Sequence, residues 1–321
     1  MSANIFDVIR AASAHVVANA RFVRIDDAGV EALVDELART PAVAPDIDPG
    51  HHRVGDDAAT LAFVFTLNAI NFGSGWFPFL SKRPGLSGYM TIATNLKQHF
   101  LSAGPWSAEA LQALTAADCA DVLEQDLALA EVGELMALYA TAWNDLGRFV
   151  ADRYTGRFER LVEAAAGSAA ALVPTLGEIP FYRDVARYAG LDVPFYKRAQ
   201  ITAADLAIAF EHRGHGAFAD LDRLTIFADN LVPHVLRRKR VLVYDPELAR
   251  RIDAEELLTA GSPAEVEIRA SALHAVERCV AALADSGTRL TAQQVDQRLW
   301  THGQSPEMKA TPRHRARSTF Y

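Results

Sequence analysis

The chain is 321 residues long and half hydrophobic, ample material for one large domain or two intimately packed ones. With 40 acidic residues against 32 lysines and arginines it carries a net charge of −8, which argues against a protein whose affinity comes from neutralising many phosphates. The N-terminus has no basic head and apolar block of a secretory signal, and Cys119 and Cys279 show no ligand spacing, so a cytoplasmic location without a disulfide framework or a zinc site is expected.

In chain order, Ile5, Val8, Ile9, Ala12 and Val16 form a one-sided helical stripe. Asp26 and Asp27 offer an N-cap to a second helix with Val30, Leu33, Val34 and Leu37 inward. Prolines and aspartates between Pro41 and Gly50 break regular structure and deliver His51 and His52 on a loop. Adjacent histidines do not face one metal from a helix, so a solvated loop or a substrate hydrogen bond is the expectation for His51. The longest apolar run, Ala58 to Phe72, falls short of the roughly 20 residues needed to span a bilayer and reads as a buried helix.

That helix runs into Asn71-Phe72-Gly73-Ser74-Gly75-Trp76-Phe77, an aromatic turn suited to a planar ring. Phe72 and Trp76 offer stacking faces there, and Asn71 a donor and an acceptor. A glycine-relaxed turn with core aromatics fits the same spacing. Thr115-Ala-Ala-Asp118 is a capping box, and Val132 to Arg153 carries the longest helical stripe. Pro174 to Pro180 reads as a break, followed by a helix over Phe181 to Ala189 ended by Gly190. Lys197 and Arg198 then precede a second capping box, Thr202 to Asp205. Two cations beside a helix start make a phosphate pocket, or else plain surface.

Leu224, Phe227, Leu231 and Val235 recur at helical spacing, with Asp229 between apolar turns and Pro233 placed to kink or end the helix. A carboxylate drawn toward apolar surroundings needs a partner, or its pKa rises. A basic run, Arg237 to Arg240, leads to Val241-Leu-Val-Tyr244, the one strand-like segment. Ser262-Pro-Ala-Glu265 opens a helix through Leu283, and Thr291-Ala-Gln-Gln294 caps another. Terminal aromatics suggest that the basic tail docks. These signals predict a mainly α, compact multi-helix fold with at most a small β element, forming a single domain over 1–321 in which two closely packed helical lobes are allowed.

There is no Walker loop, no Cys-x-x-Cys, no His-Glu-x-x-His and no Gly-x-Ser-x-Gly turn. An aromatic turn for a ring, a Lys-Arg pair for one anion and a lone semi-buried carboxylate together describe a nucleotide site. Such a carboxylate suits cleavage through an oxocarbenium-like transition state.

Several blocks then carry a family resemblance: Asn68-Ala-Ile-Asn-Phe72 with its Trp-Phe-Pro turn, Phe181 to Gly190 running into Phe195 to Ile201, Leu221 to Asp229, Glu265 to Ala270, and the terminal Pro-Arg-His-Arg-Ala-Arg…Phe-Tyr. In their order they resemble the queuosine salvage protein family, the queuosine 5′-phosphate N-glycosylases. Asn230 and His234 stand where many members carry tyrosine and glutamine. The resemblance implies a fold similar to the helix-hairpin-helix DNA glycosylases, acting on a free nucleotide. The expected reaction is hydrolysis of queuosine 5′-monophosphate to queuine and ribose 5-phosphate, serving tRNA queuosine salvage without a cofactor, metal, membrane or nucleic-acid polymer. Asp229 is then the expected catalytic residue. His51, Asn71, Phe72, Trp76, Asp222 and Phe227 would contact the substrate, and Lys197, Arg198 and Arg315 its phosphate. A non-catalytic queuine or nucleotide carrier and a nucleic-acid glycosylase are the rival readings.

Overall fold

The computed structural model describes residues 4–40 and 52–321. His51 therefore lies outside the described residues. The fold is mainly α: helices carry it, and among the described residues the strands pair as three two-stranded ribbons. The chain divides into two compact units. None of the helices among the described residues is long and apolar enough to cross a membrane.

The first unit gathers, among the described residues, 4–40, Val185–Lys197 and Asp222–Arg317. Its core is the helix Pro263–Asp285, which is buried along an almost unbroken run from Glu265 to Leu273. The helices Ile5–Ala18, Asp27–Arg39 and Ala292–Gly303 pack around it. A buried polar group needs partners, and Glu267 has four. Its carboxylate accepts the N–H groups of Arg21, Phe22 and Val23, and the Tyr188 hydroxyl donates to it at 2.8 Å. Those bonds fix the strand Val23–Ile25, which pairs antiparallel with Leu242–Tyr244, the strand expected from sequence. Asp26 caps the following helix through the Gly29 N–H, as expected. Gly29 is required there, because a Cβ would lie 2.3 Å from the Arg240 carbonyl oxygen.

The segment expected as a helix over Phe181 to Ala189 folds otherwise. A 3-10 turn, Pro180–Tyr182, leads to Val185–Tyr188, which pairs antiparallel with Leu191–Pro194. Ala189 and Gly190 both take positive φ, 48° and 85°, the backbone of a tight hairpin turn. Gly190 thus turns a ribbon and does not end a helix. Of the expected capping boxes, Thr291 with Gln294 is present. Ser262 makes no capping bond; Glu265 instead accepts the Gly261 N–H at 3.1 Å.

The second unit gathers, among the described residues, 52–184, Arg198–Leu221 and Ser318–Tyr321. The helix Asp57–Ala69 is buried continuously from Thr60 to Ala69, against Gly88–Ala103, Ala130–Tyr154 and Phe158–Ala164. The Trp143 indole N–H donates to the Thr66 carbonyl at 2.9 Å, tying the long helix to the buried one. The Thr115–Asp118 capping box is formed as expected. Thr202 and Asp205 are not a box: both lie inside the helix Lys197–Ala209, where the Thr202 hydroxyl donates to the Arg198 carbonyl. The tail docks, with Tyr321 buried and its carbonyl accepting the Gly73 N–H at 3.0 Å.

Candidate active site

The stretch around Asp229 is not one helix. Leu221–Arg223 is a 3-10 turn, residues 224–231 are irregular, and the helix Val232–Arg238 begins only afterwards. Pro233 stands in its first turn, where a missing N–H costs nothing, so it starts the helix instead of ending one. The helical spacing of Leu224, Leu231 and Val235 is explained by burial, not by helix.

What holds the irregular stretch is side-chain chemistry from elsewhere in the same unit. The Phe227 N–H donates to Oδ1 of Asp296 at 3.0 Å. The Ala228 carbonyl accepts Nε of Arg269 at 2.9 Å. Asn230 donates to the His314 carbonyl. Asp229 itself accepts the N–H groups of Leu231 and Val232 on Oδ1, at 2.8 and 3.1 Å. Two free N–H groups of a helix start thereby fix the carboxylate plane. Arg269, buried beneath, stacks on Phe195 with its guanidinium 4.0 Å from the ring centre.

Asp296 is a functional candidate that the sequence reading missed. It sits on the helix Ala292–Gly303, is buried, and feels the charge of Asp229. Burial first and the Asp229 charge second push its carboxyl up to about 8, with the Phe227 N–H and Lys197 acting in the opposite sense. The legible signal was an aspartate beside Val295 on the apolar face of a capped helix. Lys197 is buried as well, and its charge acts on Asp296. Arg313 feels the opposite charge of Asp229. One unit thus brings together Asp229, Asp296, Phe227 and Lys197, with Phe227 half-buried. Asp222 stands exposed on the 3-10 turn. Arg315 donates to the Glu255 carbonyl at 3.2 Å.

The other expected residues belong to the second unit. Asn71 is half-buried, its amide nitrogen donating to Oδ1 of Asn68 at 3.2 Å. Phe72 is enclosed: the Arg198 guanidinium covers its ring at 4.9 Å, and Tyr139 meets it edge-on. Trp76 is equally enclosed and donates its indole N–H to Glu134 at 2.8 Å. Both rings are therefore buried around the turn. Arg198 is corrected in the same way. Its guanidinium is buried between Phe72 and Tyr182 and donates to the carbonyls of Asn68, Ala69 and Thr319. A guanidinium spent on three carbonyls and two rings anchors the tail and the helix end, not a phosphate.

Against known proteins, residues 51–321 match the profile of the family described as queuosine salvage protein. A queuosine 5′-phosphate N-glycosylase/hydrolase of Sphaerobacter thermophilus is 36% identical over 314 residues, covering 95% of each chain. Proteins of the same name from Dictyostelium discoideum and Mus musculus are 35% and 27% identical, over 55% and 97% of this chain and 56% and 98% of theirs.

Proposed function

Since the chain belongs to the queuosine salvage protein family, we propose that it hydrolyses the N-glycosidic bond of queuosine 5′-monophosphate, releasing queuine and ribose 5-phosphate. The observation that carries this reading is the carboxyl pair Asp229 and Asp296. Asp229 is oriented by two backbone N–H groups, while its neighbour holds a proton near neutral pH. An oriented carboxylate beside a carboxyl that keeps its proton is what cleavage of a glycosidic bond asks for.

In this mechanism the charge of Asp229 stabilises the positive ribosyl centre as the base departs, and the same carboxylate orients or deprotonates the attacking water. Asp296, neutral at physiological pH, adds a hydrogen-bond donor without adding a second negative charge. The 7-deazaguanine ring lacks the nitrogen that guanine could protonate on leaving, so the base must be assisted through its other edges. Asp222 is the candidate for that role in the unit that carries Asp229. Phe227 is the aromatic contact, since the rings of Phe72 and Trp76 are enclosed. Lys197 holds the 5′-phosphate through its buried ammonium, with Arg315 in support. The reaction needs no cofactor, and buried, unpaired Cys119 and Cys279 suit the cytoplasm.

The test is incubation with queuosine 5′-monophosphate followed by mass spectrometry. Free queuine and ribose 5-phosphate are expected. Recovery of the intact nucleotide would instead mark a carrier.

A further inference from the structure

The backbone of Asp229 is held from the core helix of its own unit. The Ala228 carbonyl and the Asp229 N–H share one peptide plane, so a group that fixes the carbonyl also fixes how Asp229 leaves the chain. Nε of Arg269, on the helix Pro263–Asp285, donates to that carbonyl at 2.9 Å. One peptide earlier, the Phe227 N–H is held by Asp296 at 3.0 Å. Residues 224–231 form neither helix nor strand, so these bonds from distant side chains replace the regular ladder that would otherwise set their course.

Burying a cation such as Arg269 is unfavourable, and its surroundings show what offsets the loss of water. Its guanidinium lies over the Phe195 ring, 4.0 Å from the centre, and Glu265, one turn earlier and equally buried, stands 3.8 Å away. The stacking decides direction. A guanidinium carries its five N–H donors in its own plane, so a ring covering its face uses none of them and holds that plane still. Nε–H is then aimed sideways, at the Ala228 carbonyl. An ammonium over the same ring would point its hydrogens at the face and has no plane to hold.

We propose that Arg269 is a positioning residue for the reaction: stacked on Phe195 and paired with Glu265, it pins the Ala228–Asp229 peptide and thereby aims the Asp229 carboxylate. This rests on the reading of Asp229 as the catalytic group. Arg269 touches no substrate and acts on turnover only through Asp229. The bonds from the Leu231 and Val232 N–H groups to Oδ1 of Asp229 close when the peptide before Asp229 is in place. A reacting group misplaced by about 1 Å loses on the order of a hundredfold in rate.

Arg269→Lys keeps the charge and removes the plane. In that variant kcat for queuine release from queuosine 5′-monophosphate should fall about tenfold to a hundredfold, while KM stays within about threefold. Hydrogen exchange reads the same effect without turnover. The Leu231 and Val232 amides should exchange about tenfold faster than in the wild type, and the Val23 N–H, held by Glu267 on the same core helix, should keep its protection. Should Arg269→Lys fail to fold, Phe195→Leu decides: it leaves the guanidinium but takes away its platform, and must speed exchange at Leu231 and Val232 alone. Unchanged exchange at those two amides, or a rise shared equally by Val23, overturns the proposal, as does a variant that raises KM and leaves kcat intact. A wild type that releases no queuine would refute the hydrolase reading, and the exchange pattern would then decide by itself whether Arg269 holds Asp229.

Discussion

Asp229 and Asp296 have the same side chain and opposite duties, and environment separates them. Asp229 spends one oxygen on two N–H groups at a helix start, whereas Asp296 is buried beside that charge and keeps its proton up to about pH 8. Because its folded pKa lies above the ordinary 3.8, the native state binds the proton more tightly than the unfolded chain. Stability from this group is therefore full below about pH 4 and is lost as pH rises toward about 8, by up to about 1.4 kcal/mol per pH unit. Asp296→Asn should flatten that decline in denaturant titrations across the same range. It should also remove the fall in kcat as pH passes about 8, since the amide stays neutral. A variant that keeps the alkaline fall would show that Asp296 is not the titrating group. Lys197→Ala should raise KM for queuosine 5′-monophosphate about tenfold or more, with little change for the unphosphorylated nucleoside, because a charge-assisted contact to the phosphate is lost. Equal losses on both substrates would contradict a phosphate role.

At the scale of elements, Glu267 joins a core helix to a strand, accepting three consecutive backbone N–H groups and the Tyr188 hydroxyl. Glu267→Gln keeps the shape but weakens the charge-assisted bonds, and should cost about 1–3 kcal/mol in urea denaturation. A change within experimental error would show that these bonds are not charge-assisted. Much of this architecture was legible in the sequence. The buried helix, the long helix after Leu129, the Asp26, Thr115 and Thr291 caps and the strand ending at Tyr244 follow from periodicity and capping chemistry. What was not legible depends on distant partners. Phe181 to Ala189 has helical composition, yet two adjacent residues with positive φ turn it into a ribbon. The Asp229 stretch has helical spacing, yet Asp296, Arg269 and His314 capture its backbone groups or side chains from far along the chain. Asp229 itself was legible as an oddity in an apolar run; Asp296 became visible only once burial was known. The enclosure of Phe72, Trp76 and Arg198 was invisible for the same reason, since spacing does not reveal which face of a ring is already covered.

For the molecule as a whole, a net charge of −8 sets what it can approach. It should show no retardation of duplex DNA at moderate salt in a gel-shift assay, because strong non-specific binding requires many phosphate contacts from cations. Salt-sensitive binding there would favour a nucleic-acid glycosylase instead. Family membership, the fixed carboxylate of Asp229 and the protonated Asp296 converge on release of a base from a free nucleotide. The most direct test is queuine release from queuosine 5′-monophosphate by Asp229→Asn beside the wild type, with matched circular dichroism melts. A loss of kcat of at least about a thousandfold at unchanged fold is predicted, in line with removal of a group that stabilises transition-state charge. Near-normal release by the folded variant would contradict it.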